Sequence, residues 1–330
     1  MKAVLLVTLF VMTSALTMVE SSIQLDDELL TRETQSGATS VVDVPTHRIG
    51  DRWVYDTKFD VAQLLAQANV SASLNTLTGD TTNEVTDIFY ETDTNGDTVL
   101  AYEIEIEGSF SSGNSGATLE GVTGRLEIDY EGVDILRARD LATITSDFTL
   151  DVNFAPLNLG FLSQNLGIVT FDNTYTPAKE RHDFPLRNGD QWYMPFTAET
   201  EVSGSSDYFD PSEFDSEEDE NNSWQVIKNE APVEDGATPQ YTGCDDSYKI
   251  AEWNETGVST GFNWYCPAVR GSVWNRIINS AGFTIDWILK TYNPSDSNSV
   301  FPGSSPGGRN TQIEVYTAYS ATLPDSMEQI

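Results

Sequence analysis

Leu100-Ala101-Tyr102-Glu103-Ile104-Glu105-Ile106-Glu107 alternates apolar residues with acids, and its reading decides the fold. Successive side chains on a strand point to opposite faces, so a period of two marks a strand with one face buried and the other in water. The signature recurs in both directions. Leu126, Ile128 and Tyr130 alternate with Arg125, Glu127, Asp129 and Glu131, and Phe148, Leu150, Val152 and Phe154 alternate with Asp147, Thr149, Asp151 and Asn153. Phe283, Ile285, Trp287 and Leu289 alternate with Thr284, Asp286 and Lys290, with Ile288 on the polar face. Turn-forming clusters such as Ser111 to Gly116 separate the runs. The pattern predicts a mainly β chain of one or two curved antiparallel sheets, half-barrel-like, with a few short helices. The best helical segment is Val61 to Ala68, with Asp60 as its N-cap. Ile313, Val315, Thr317 and Tyr319 alternate again after the loop Pro302 to Gly308, which predicts a last strand returning to the sheet.

The chain divides into residues 1–21, a signal peptide; 22–43, a polar leader; 44–178, a first β-rich half; 179–292, a second; and 293–330, a loop and returning strand. Lys2 followed by the apolar run Ala3 to Val19 has the layout of a secretory signal, either cleaved or kept as an anchor. No later segment is long and apolar enough to form a transmembrane helix. The halves share an echo. Gly50-Asp51-Arg52-Trp53 and Gly189-Asp190-Gln191-Trp192 each place a Gly-Asp turn before a Trp-bearing strand.

Composition excludes several classes of function. With 52 acidic and 17 basic residues the net charge is −35, which opposes nucleic acids and anionic membranes. Seven Trp, 15 Phe and 13 Tyr supply the apolar surface that a disordered acidic chain lacks. The acidic excess reads as a solvation device. Cys244 and Cys266, an even count in an exported chain, predict one disulfide, worth about 3 kcal/mol in the chain-entropy model.

No motif carries chemistry. Asp93-Thr94-Asn95-Gly96-Asp97 opens like a calcium loop but has Thr98 and Ile104 where Gly and Glu belong, so it reads as a hairpin turn. The acids between Asp207 and Asn222 match no defined calcium loop and read as a solvated loop. His182-Asp183 would point to opposite faces of a strand. His-Glu-x-x-His does not occur. No cofactor, metal set or catalytic group is predicted. Trp224, Trp253, Trp264, Trp274 and Trp287 crowd one region and read first as core. Asn69, Asn221 and Asn254 begin glycosylation sequons.

Phe184-Pro185-Leu186-Arg187-Asn188-Gly189-Asp190-Gln191-Trp192 is similar to an FPLxxGxxW opening of uncharacterised exported β-rich proteins, as in marine archaeal surface proteins. Gly243-Cys244, Tyr248-Lys249-Ile250 and the run Trp264-Tyr265-Cys266-Pro267-Ala268-Val269-Arg270-Gly271-Ser272-Val273 resemble their WYxPxVxGxV ending, over residues 180–292. Cys266 stands where those proteins often have Ala, and Arg270 is inserted before the Gly. The resemblance implies the half-barrel of periplasmic lipoprotein carriers. The expected function is therefore a non-catalytic module, extracellular or at the cell surface, that holds an apolar or lipid-like ligand in the concave sheet face or a partner on its surface. The alternative is a carbohydrate-binding or carbohydrate-cleaving protein that uses exposed Trp and paired carboxylates.

Overall fold

The computed structural model describes residues 41–60, 73–119, 121–157, 163–206, 210–279 and 283–296. Among the described residues fourteen strands run in chain order: β1 Arg52–Asp60, β2 Ser73–Leu74, β3 Leu77–Thr92, β4 Thr98–Ser111, β5 Ala117–Leu119, β6 Val122–Arg137, β7 Thr143–Pro156, β8 Gln164–Lys179, β9 Gln191–Ser205, β10 Ser216–Glu230, β11 Ser247–Trp253, β12 Ser259–Cys266, β13 Gly271–Asn279 and β14 Phe283–Asn293. Leaving out β2 and β5, a small ribbon beside the start of β6, each strand pairs antiparallel with the next in the chain. The first and last then pair, from Arg52 opposite Asn293 to Asp60 opposite Thr284. The result is a closed up-and-down barrel of twelve strands.

Closure overturns the half-barrel reading. An open sheet leaves two rows of unpaired backbone groups; here β14 occupies the free edge of β1 and no edge remains in the ring. Helical structure among the described residues amounts to two 3-10 turns, Pro211–Phe214 and Pro267–Val269. The predicted helix at 61–68 and the strand at 313–319 lie outside the described residues. The predicted acidic loop is mostly strand: from Ser216 onward it is β10, with Glu217 and Asp219 outward and Glu220 inward. Asp93 does form a hairpin turn, its Oδ1 accepting from the N–H of Asn95 and Asp97.

Alternation assigns the faces. Leu77, Ile128, Leu150, Val169 and Phe171 point inward and are at most 1% exposed, so the apolar interior is filled by side chains. The outer face places carboxylates opposite one another: Glu84 and Glu105, Glu107 and Glu131, Asp129 and Asp151, Asp147 and Asp172. This is the reverse of a membrane barrel, whose outer band must be apolar. Burial, and then the neighbouring Asp172, push the Asp147 carboxyl up. Same-sign pairs directly across a ladder repel, and ions screen them. The melting temperature should therefore rise smoothly with ionic strength, equally in sodium and potassium chloride. A saturating rise with micromolar calcium at constant ionic strength would contradict this.

One outer region departs from that rule. Phe262, Trp264, Trp274 and Ile288 share the outward face of β12–β14 yet are at most 9% exposed. Residues 231–246, between β10 and β11, lie over them as a strap. Glu234 accepts from the Trp264 indole and from Lys249, both at 2.6 Å, and Asp235 pairs with Arg276 at 3.1 Å. The Cys244–Cys266 disulfide fastens the strap at its end. Sequence reading placed these Trp in the core but missed that the cover is a loop. Reducing the bond, or replacing both cysteines with serine, should lower stability by about 3 kcal/mol for a 22-residue separation. Denaturant melts with and without reductant measure the difference.

Candidate functional site

The two Gly-Asp turns make the same hydrogen bonds. Gly50 N–H donates to Val85 O at 2.8 Å, Val85 N–H to Asp51 O at 3.0 Å and Asp51 N–H to Arg48 O at 2.9 Å. Gly189, Val226, Asp190 and Arg187 repeat this set at 2.8, 2.9 and 3.1 Å. Both glycines are left-handed, at φ 89° and 92°, a region that disfavours any residue with a Cβ. Trp53 and Trp192 follow on β1 and β9, 4% and 9% exposed. Each half thus supplies six barrel strands that begin with the same turn.

The two tryptophans then differ. The Trp53 indole donates to Val269 O at 2.8 Å and stacks on Tyr292 at 5.4 Å. Gly271 makes room, since a Cβ there would lie 3.2 Å from the indole nitrogen. Asp51, fully buried, accepts from Arg48 N–H, Ser295 N–H and the Arg270 guanidinium, each within 2.9 Å. Pro267 opens the 3-10 turn that presents Val269 and Arg270. The end of the second half is therefore the socket for the first turn, and this end of the barrel is structural.

The Trp192 end is different. Trp192 lies opposite Trp224, Asn222 opposite Met194 and Glu220 opposite Phe196, all inward on β9 and β10. The two indoles stack at 6.2 Å and 11°. Tyr175 meets Phe196 edge-on at 5.9 Å, with the Lys179 ammonium over both rings. Tyr248 and Tyr265 complete the aromatic wall. Trp192 Nε1, Trp224 Nε1, Asn222 Oδ1 and Glu220 Oε1 are buried and have no hydrogen-bond partner. A buried polar group left unpaired costs about 1–3 kcal/mol, so four on neighbouring positions are not explained by packing alone. Glu252 on β11, opposite Trp224, pairs with Arg181 at 3.4 Å. Further along the interior, Ser146 donates to Asp134 at 2.6 Å and Thr200 to Asn173 at 2.9 Å.

Residues 180–190 run between β8 and β9 across the same end. His182 lies against Phe184 at 5.5 Å and Tyr265 at 5.6 Å, and Leu186 exchanges backbone hydrogen bonds with Val42. Burial and then Arg181 lower the His182 pKa to about 3, so its imidazole is neutral and both ring nitrogens lack partners. Burial pushes the Asp134 and Glu220 carboxyls up, and burial followed by Asp140 and Asp183 takes Glu180 to about 7. A carboxyl raised on folding stabilises below its unfolded pKa, and that contribution is lost as pH rises through the folded value. Glu180→Gln should thus raise stability at pH 8 and leave it nearly unchanged at pH 4. Denaturant melts of both proteins across that range give the test.

Of the residues singled out from sequence, the structure brings Trp192, Tyr265 and the Gly189-Asp190 turn to this end of the barrel, and Gly50, Asp51, Trp53, Pro267 and Gly271 to the structural socket. Trp264 and the cysteines belong to the strap. Glu220, Asn222 and Lys179 were missed. The signal for Glu220 and Asn222 was their place, with Glu218, in the same inward phase as Trp224 and Val226 on one strand, hidden by the acids around them. Among the described residues no cluster of three or more metal-ligating side chains occurs. Asn254 is 8% exposed and its Oδ1 accepts three hydrogen bonds, so its sequon is internally engaged.

The fold is a closed antiparallel barrel with an acidic exterior and an interior that carries, at one end, aromatic side chains beside unpaired polar groups. No protein family model matches the sequence, and no curated protein does. Among solved structures the chain is similar to a crystal structure of a beta-barrel-like protein of a domain of unknown function, DUF1849, from Brucella abortus. That likeness has a TM-score of 0.31 and 9% identity, over 76% of this chain and 100% of that one.

Proposed function

We propose that this protein is a non-catalytic binding module that works outside the cytoplasm, at the cell surface or beyond, and holds its ligand inside the barrel. The supporting observation is the ledge of four unpartnered polar atoms on Trp192, Trp224, Asn222 and Glu220 against an aromatic wall. Binding sites are mostly apolar enclosures with a few placed polar groups, and this ledge has that composition. The apolar or lipid-like ligand expected from sequence fits the Trp192, Phe196 and Tyr175 surface, provided that it also carries a polar group for the ledge. Below the ledge the interior is filled, so a long acyl chain has no path there. The N-terminal signal pattern and the disulfide support the location.

Native mass spectrometry of protein isolated from its own host tests the reading. A stoichiometric small molecule that leaves on unfolding is the expected result. Ligand-free protein whose ledge atoms are each paired with an ordered water in a crystal structure would overturn it. The carbohydrate-binding alternative is favoured by one feature, the stacked Trp192–Trp224 pair beside Glu220 and Glu252.

A further inference from the structure

We infer that the ligand's polar part consists of uncharged hydroxyl groups, as in a sugar or polyol head, seated on β9 and β10; this rests on the interior-binding reading above. The two indoles of the ledge can only donate. Asn222 Oδ1 can only accept, because its amide nitrogen already donates to Glu220 Oε2 at 3.1 Å. Glu220 Oε1 is a second open oxygen. Donors and acceptors therefore stand side by side, and a hydroxyl satisfies both because it accepts one hydrogen bond while donating another.

Charged heads fit worse. A carboxylate or phosphate would meet the indoles but lie beside the Glu220 carboxyl, near Glu252 and Glu218, while the Lys179 ammonium that offsets them is seated over the Tyr175 and Phe196 rings. An ammonium would meet the oxygens and leave both indoles unpaired. The cation site over Tyr175 and Phe196 is already taken by Lys179 at 5.5 and 4.8 Å. Inward positions two residues apart on a strand are separated by about 6.6 Å, so Glu220 to Trp224 spans about 13 Å. One hydroxyl cannot bridge that span, and a head bearing several can.

The halves of the barrel supply an internal control. At the equivalent position in the first half the indole of Trp53 is satisfied by Val269 O, so the turn does not require an open N–H. Trp192 keeps the ring and the turn without the partner.

Three probes with a common octyl body separate the possibilities: octyl glucoside, octanoate and octyltrimethylammonium, each titrated calorimetrically below its micelle threshold. The expected result is saturable one-to-one binding of octyl glucoside alone, weakened at least tenfold in Trp192→Phe and in Trp224→Phe, with near-UV circular dichroism retained. Tyr193→Ala removes an exposed aromatic on the outer face, 67% exposed, and should leave the affinity unchanged. Binding of a charged probe without the glucoside overturns the hydroxyl inference and leaves the binding module standing. Binding of none of the three, with octyl glucoside failing also against protein that has been unfolded and refolded to remove bound material, overturns both. Loss of binding in Tyr193→Ala with retention in both Trp variants places the glucoside on the surface and overturns the interior site.

Discussion

Replacing Asp51 with alanine should destabilise the barrel by about 3–5 kcal/mol, the usual loss when one partner of a buried ion pair is removed. The carboxylate is fully buried and ties three distant pieces together: the turn before β1 through Arg48, the β12–β13 turn through Arg270 and the segment after β14 through Ser295. These pieces flank the β1–β14 seam, the one pairing that closes the ring. Loss of Asp51 leaves the Arg270 guanidinium, with its side chain 28% exposed, without its carboxylate and with its bond to Thr46 O, and frees both chain ends of the seam. Amide exchange resolves where the damage falls: protection in β1 and β14 should drop before that in β6–β8. Uniform loss across all strands would mean that Asp51 supports the whole fold and not the seam.

The second large effect separates the two equivalent tryptophans. Trp53→Ala should cost about 3–5 kcal/mol, since a large aromatic side chain leaves a core position 4% exposed. Trp192→Ala should cost a similar amount for its ring. Phenylalanine divides them. Trp53→Phe loses the bond to Val269 O and leaves that carbonyl without its indole donor, costing about 1–3 kcal/mol beyond the change in size. Trp192→Phe removes a buried N–H with no partner and should be close to neutral or stabilising in the ligand-free protein. Denaturant unfolding of the four variants provides the comparison. Equal costs for the two Phe variants would show that the Trp192 indole is paired in solution and would remove the physical basis of the ledge.

Local rules of hydrogen-bond satisfaction are commonly broken at functional sites, and the binding proposed above would account for the break here. This end of the barrel was only partly legible in the sequence. Trp192 was visible through its echo with Trp53. Glu220 and Asn222 were not, because in a chain with 52 acidic residues an inward acid looks like all the outward ones until its strand phase is known.

Local patterns by themselves determined that the chain is mainly antiparallel β, which face is wet in the strands around Ile104, Ile128 and Leu150, and where the paired Gly-Asp-x-Trp turns fall, and the cysteine count determined that Cys244 and Cys266 form a disulfide. Those features depend on neighbours a few residues apart, or on a count of two. The tertiary structure alone decided closure. Alternation states that one face is buried and is silent on whether the edges meet, and the deciding contact joins β1 to β14, from Arg52 to Asn293. The same holds for the strap over Trp264 and Trp274, whose outward phase alone predicts exposure, and for the unpaired ledge. Whether a buried donor finds an acceptor depends on side chains brought together from distant strands, and no spacing along the chain encodes that.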